Sequence, residues 1–117
     1  MWSNSEEYPS YIVCLTCKYS KGDFVAWYDE SGNGVLYWGE LVATEGDEVK
    51  IKDGLIYING INSSYNLMST FGSKIANEFK LGKDEAFSLF YLYPRTLAES
   101  QIDLGRTNKH FIAGKVT

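Results

Sequence analysis

Few side chains in this sequence can do chemistry, and the cysteines come first. Cys14 and Cys17 stand in a C-x-x-C spacing, and His110 is the one histidine. Such a pair suits a redox couple or half of a zinc site. Tetrahedral zinc needs two further ligands, and one histidine without a third cysteine does not supply them. A thiolate also reacts with little help, so Cys14 with His110 as base could form a protease pair, although no third group to orient the imidazole is evident. The segment Tyr11 to Tyr19 reads as a strand, in which positions i and i+3 face opposite sides. The expectation is therefore two unbridged strand cysteines, packed or partly exposed. Ser3 and Ser5 read as solvated hydroxyls of a polar lead-in. No metal or cofactor is called for.

The elements that must position these residues are mostly strands. Val49 and Ile51 alternate with Glu48, Lys50 and Lys52, the period of a half-buried strand. Asp53-Gly54 follows, a dipeptide that tolerates the positive φ values of a type I′ hairpin turn. Leu55 to Ile58 is the return strand, closed by Asn59-Gly60. Upstream, Tyr11 to Thr16 and Phe24 to Tyr28 read as strands, and Asp29 to Gly34 as a loop of turn residues. Val35 to Ala43 is a third strand interrupted at Gly39, where a glycine signals a bulge or a close backbone approach. Downstream, Leu67, Phe71, Ile75 and Phe79 recur every four residues and predict a short amphipathic helix within Ser63 to Phe79. Leu81 to Asp84 is a turn, Ala86 to Tyr93 a strand buried on both faces, Arg95 to Asp103 ambiguous, and Lys109 to Val116 a closing strand. About seven strands and one short helix predict a mainly β protein, a barrel or coiled sheet.

At 117 residues the chain is expected to form one domain over 1–117. Nine Tyr, six Phe and three Trp against two Pro favour pleated structure, on which planar side chains pack well. A net charge of −4 argues against nucleic acid, whose phosphates demand a basic footprint. No run of about 18 apolar residues spans a membrane, and the polar, acidic first ten residues do not read as a signal peptide.

In order and spacing, these boxes resemble type I signal peptidases. Ser20-Lys21-Gly22-Asp23-Phe24-Val25-Ala26-Trp27 is similar to the family's basic-Gly-Asp strand. Gly39 to Asp47 falls where Lys-Arg-Val-x-Gly-x-Pro-Gly-Asp stands, and Asp53-Gly54 and Asn59-Gly60 follow at the usual distances. Leu104-Gly105 and Ile112-Ala113-Gly114-Lys115-Val116 resemble the terminal pattern. The resemblance implies a signal-peptidase-like coiled β-sheet or barrel. It also implies a mechanism in which a serine attacks the scissile carbonyl and a desolvated, neutral lysine takes its proton.

The residues that should carry that chemistry are not in place. The lysine slot is Gly39 and the next, arginine, slot is Glu40, which points to the opposite face of the strand. The Ser-Met-x-Pro box aligns its methionine with Met1, so its serine falls at or before the first residue given. The late boxes are eroded around Leu92-Tyr93-Pro94-Arg95 and Glu99-Ser100. This pattern is most similar to the non-catalytic signal-peptidase-like proteins of Gram-positive pilus loci, the SipA type of streptococci. That resemblance implies a chaperone or adaptor for sortase-mediated pilin polymerisation, with pilin subunits, a class C sortase or both as partners. It further implies a place on the extracellular face of the cell membrane, held by an N-terminal transmembrane anchor outside this sequence. A retained peptide- or partner-binding cleft would be lined by Met1, Trp2, Tyr37, Trp38, Gly39 and Glu40, with substrate held as an added strand. The alternatives are an active serine or cysteine protease processing pilin or other exported proteins, and an unrelated all-β ligand binder.

Overall fold

The computed structural model describes residues 13–28, 34, 36–67, 77–91, 95–98 and 100–116. Their strands are β1 (Val13–Cys14), β2 (Phe24–Tyr28), β3 (Leu36–Ala43), β4 (Glu48–Lys52), β5 (Leu55–Ile58) and β6 (Ile61–Leu67). After these come β7 (Asn77–Lys80), β8 (Glu85–Leu89), β9 (Thr96–Leu97), the helix α1 (Ser100–Gly105), β10 (Arg106–Asn108) and β11 (Ile112–Val116). They form a six-stranded sheet, ordered β1-β11-β2-β3-β8-β10, and a five-stranded sheet, β7-β4-β5-β6-β9. The described pairings are antiparallel except β6 with β9. Among the described residues the protein is mainly β with one short α-helix, the fold class that the sequence predicts.

The central hairpin forms as its turn residues dictate. Asp53 and Gly54 adopt φ of 54° and 76°, and Asn59 and Gly60 adopt 52° and 82°, so both turns use the left-handed region that Asp, Asn and Gly tolerate. β4 alternates as read: Val49 and Ile51 are buried, while Glu48, Lys50 and Lys52 are exposed. Burial of each of these two side chains contributes roughly 1.5–3 kcal/mol. They join Ala43, Ile56, Tyr65, Leu67, Leu81, Phe87, Leu89, Leu97 and Ile102 in a core to which both sheets contribute. A smaller core of Val25, Trp27, Leu41 and Ala86 lies on the other face of the six-stranded sheet.

Three expectations are corrected. The helix predicted within Ser63 to Phe79 is not seen where the chain is described: Ser63 to Leu67 belong to β6 and Asn77–Lys80 is β7, while 68–76 lie outside the described residues. A four-residue spacing places side chains on one side of a strand as well as of a helix, so the stripe did not discriminate. The α-helix instead occupies Ser100–Gly105, in the stretch that read as ambiguous. Second, the strand expected over Tyr11 to Thr16 is only Val13–Cys14 among the described residues, followed by a bend at Leu15 and Thr16. Third, because the strand stops there, Cys14 and Cys17 are not held on opposite faces. They form a disulfide with a Cα–Cα distance of 5.4 Å.

The hairpin is held at its base by Asp47. Its carboxylate accepts from Thr44 N–H at 2.9 Å and from Asn59 Nδ2 at 2.9 Å, and pairs with Lys21 at 3.1 Å. Asn59 Oδ1 in turn accepts from Glu48 N–H at 2.9 Å. Burial alone would raise the Asp47 pKa, but the bonds from Asn59, Thr44 and Lys21 outweigh it and hold the group below its ordinary 3.8. Asp47→Ala is expected to lower stability by about 1.5–3 kcal/mol, the range for bonds to a charged group. A depressed pKa stabilises the fold fully above 3.8, and that contribution is lost as pH falls through the folded value. Urea titrations of the two proteins should therefore differ at neutral pH and converge in acid.

Candidate functional site

β3 positions the four described residues that the sequence places at a candidate site, and strand alternation sends them to two sides. Tyr37 and Gly39 share the side of Leu41 and the smaller core, and Trp38 and Glu40 share the other. Tyr37 lies 6.0 Å from Trp27 between ring centroids. Trp38 packs edge-on to Phe90 at 4.8 Å and lies 6.0 Å from Phe24. Tyr37 and Trp38 nonetheless meet at one opening, a cleft of about 300 Å³ whose lining includes Leu36, Phe90 and Leu104. Glu40 lines a separate depression of about 290 Å³ beside Val42, Asn62 and Tyr65. Met1 and Trp2, the other two residues assigned to the cleft, lie outside the described residues, as do Ser3 and Ser5.

Gly39 is buried, and its lack of a side chain is required. A Cβ there would sit 2.6 Å from the Leu89 carbonyl oxygen and 3.0 Å from the Phe90 nitrogen. The backbone leaving β8 crosses where a side chain would start, so the expected close backbone approach is present. β3 also shifts register against β8 between Leu41 and Ala43, an irregularity that redirects a strand.

Glu40 is the centre of a polar cluster. Its Oε1 accepts a 2.7 Å hydrogen bond from Tyr65 Oη and lies 3.3 Å from Arg95 Nη1. The Arg95 guanidinium stands 5.1 Å from the Tyr65 ring centroid and 5.9 Å from that of Tyr91. Arg95 itself has φ of 56°, in a region that non-glycine residues seldom occupy. Tyr65 is fully buried, and burial, then the bond to Glu40 and its charge, push its pKa well above the ordinary 10, with Arg95 opposing. The hydroxyl is therefore the donor to Glu40 at neutral pH. Arg95 is 43% exposed, so its ion pair is worth about 0–1 kcal/mol. The buried Tyr65–Glu40 bond, at roughly 1.5–3 kcal/mol, dominates the cluster. Tyr65 and Arg95 escape the sequence reading because the first falls in the mistaken helix and the second in the ambiguous stretch. The alternation of Ser63, Tyr65 and Leu67 was the available signal.

The two members of the cysteine–histidine pair sit as follows. The Cys14 sulfur is bonded to Cys17, so neither serves as a thiolate nucleophile or zinc ligand in this form. His110 is 73% exposed, with its Nε2 3.9 Å from Asp84. Lys109 Nζ reaches the same carboxylate at 3.1 Å.

No protein-family model matches the sequence, and no curated protein sequence does so either. Among solved structures, the crystal structure of a signal peptidase I from Enterococcus faecalis is similar, with a TM-score of 0.61 over 86% of this chain and 98% of that one. The chain has a signal-peptidase-like fold. At 19% identity the likeness speaks for the fold alone, and activity has to be argued from residues.

Two substitutions test the geometry of this signal-peptidase-like framework. Gly39→Ala should destabilise by about 1–3 kcal/mol, because the Leu89–Phe90 backbone must move to admit a methyl group. Tyr65→Phe should cost about 1–3 kcal/mol by leaving the Glu40 carboxylate without its buried donor. Chemical denaturation of both variants checks the values. A Gly39→Ala protein as stable as wild type would contradict the close approach.

Proposed function

We propose that this chain is a catalytically inactive signal-peptidase-like protein, of the SipA type, that serves pilus assembly as a chaperone or adaptor. On this reading it holds pilin subunits, a class C sortase or both for sortase-mediated polymerisation. It works at the extracellular face of the cell membrane, anchored by a transmembrane helix outside this sequence. The observation that carries the reading is Gly39. The family resemblance puts the lysine base at this position, and the mechanism needs a desolvated amine there to take the serine proton. Glycine has nothing to titrate, and the Leu89 carbonyl occupies the start of the path a side chain would take. Glu40, at the neighbouring slot, is tied to Tyr65 and Arg95 on the opposite side.

Binding does not need the lost base. Signal peptidases are expected to hold substrate as an added strand, with main-chain hydrogen bonds giving affinity and side-chain pockets giving choice. The cleft beside Tyr37 and Trp38 supports this use, because half-buried aromatic residues beside an apolar opening are the kind that carry binding energy. Among the described residues no helix is long and apolar enough to cross a membrane.

Signal-peptide-bearing pilin incubated with the protein should remain uncut, while calorimetry should detect binding to pilin or to a class C sortase. Trp38→Ala should weaken that binding about tenfold or more, the effect of removing an interface anchor. Cleavage of the pilin would overturn the pseudo-enzyme reading, and absence of binding to either partner would overturn the adaptor reading.

A further inference from the structure

The Cys14–Cys17 bond is placed where it can react without disturbing the fold. Two fixed points bracket it. Before it, Val13 and Cys14 pair with Val116 and Lys115 of β11, and after it Tyr19 packs against the smaller core. Between them Leu15, Thr16, Cys17 and Lys18 are all exposed. A disulfide's chain-entropy contribution grows with the loop it closes, and this one closes a sequence separation of only three residues. It ties no two elements together, since the pairing of β1 and the packing of Tyr19 each stand without it. Its stabilising effect is thus small, and its accessibility high.

Leu15 adds a second observation. It is 72% exposed inside the disulfide ring, and among the described residues no core cluster takes up this apolar side chain.

We propose that Cys14–Cys17 is a thiol–disulfide exchange site for a protein dithiol that docks on Leu15. The donor's thiolate attacks the sulfur of Cys17, the more exposed of the two residues. A bond forms between the donor sulfur and Cys17, the Cys14–Cys17 bond breaks, and Cys14 leaves with the electron pair and takes a proton from water. The donor's second thiol then attacks the donor sulfur of the mixed disulfide, releasing Cys17, which is protonated in turn. Two electrons and two protons pass to the pair, and the donor leaves as its own disulfide. Run in reverse, the reduced Cys14/Cys17 pair passes two electrons to a partner's disulfide and is itself reoxidised. This chemistry is independent of the peptide-binding cleft.

Reduced thioredoxin is the probe, with the oxidised chain kept folded and its thiols counted by alkylation and mass spectrometry. Both cysteines should be modified while the near-ultraviolet circular dichroism stays unchanged, and oxidised glutathione should restore the bond. Leu15→Ser, an exposed change that leaves the core alone, should slow reduction by thioredoxin several-fold and leave reduction by dithiothreitol at the wild-type rate. A bond that yields only in denaturant, or a fold that collapses on reduction, would overturn the exchange site. Equal thioredoxin rates for Leu15→Ser and wild type would overturn the docking role.

Discussion

β3 carries two cores on its opposite sides, and the Leu89 carbonyl limits what its middle can hold. Leu41 faces the smaller core, and Ala43, beyond the register shift against β8, faces the larger one. A strand that serves both cores has little freedom to slide, because a one-residue slip would exchange its two sets of side chains. Gly39 lies between β2, through its pairing with Val25, and the chain leaving β8. The aromatic residues before it and the acid after it take their positions from this crossing.

The polar groups near β3 stiffen it in different ways. Glu40 reaches across 25 residues of sequence to Tyr65 and 55 to Arg95, linking the six-stranded sheet to β6 and to the segment before β9. Asp47 works more locally, gathering the turn after β3, the turn after β5 and Lys21 around one carboxylate. Hydrophobic burial supplies the larger energy, but it is non-directional. The directional bonds of these two acids hold the hairpin and β3 in one mutual arrangement.

What the sequence revealed follows the range of each interaction. The hairpin was legible because Asp53-Gly54 and Asn59-Gly60 encode their own backbone angles, and Val49 and Ile51 declare the buried side of β4. Gly39 was legible as a close approach, though not what approaches it, since Leu89 is fifty positions away. The stripe of Leu67, Phe71, Ile75 and Phe79 misleads at its two described ends, Leu67 in β6 and Phe79 in β7, because its spacing fits either period. The disulfide escapes a strand reading because strand alternation ends at Cys14, three residues before Cys17, and the bend at Leu15 and Thr16 turns the chain between them. Tyr65 and Arg95 were missed for a deeper reason: a hydrogen bond to Glu40 is a property of the assembled sheets, and nothing local announces it.

On the proposed reading, the residue that separates this chain from a protease also stabilises it. A lysine at position 39 would have to displace the Leu89–Phe90 backbone and desolvate an amine, which is costly in itself. Once cleavage is no longer required, glycine lets β8 close onto β3 beside the cleft that Tyr37 and Trp38 line. Active sites commonly hold residues that the fold would be more stable without. Removing the base would therefore favour the framework, and a strand-binding surface could persist without selection for the reaction that first used it.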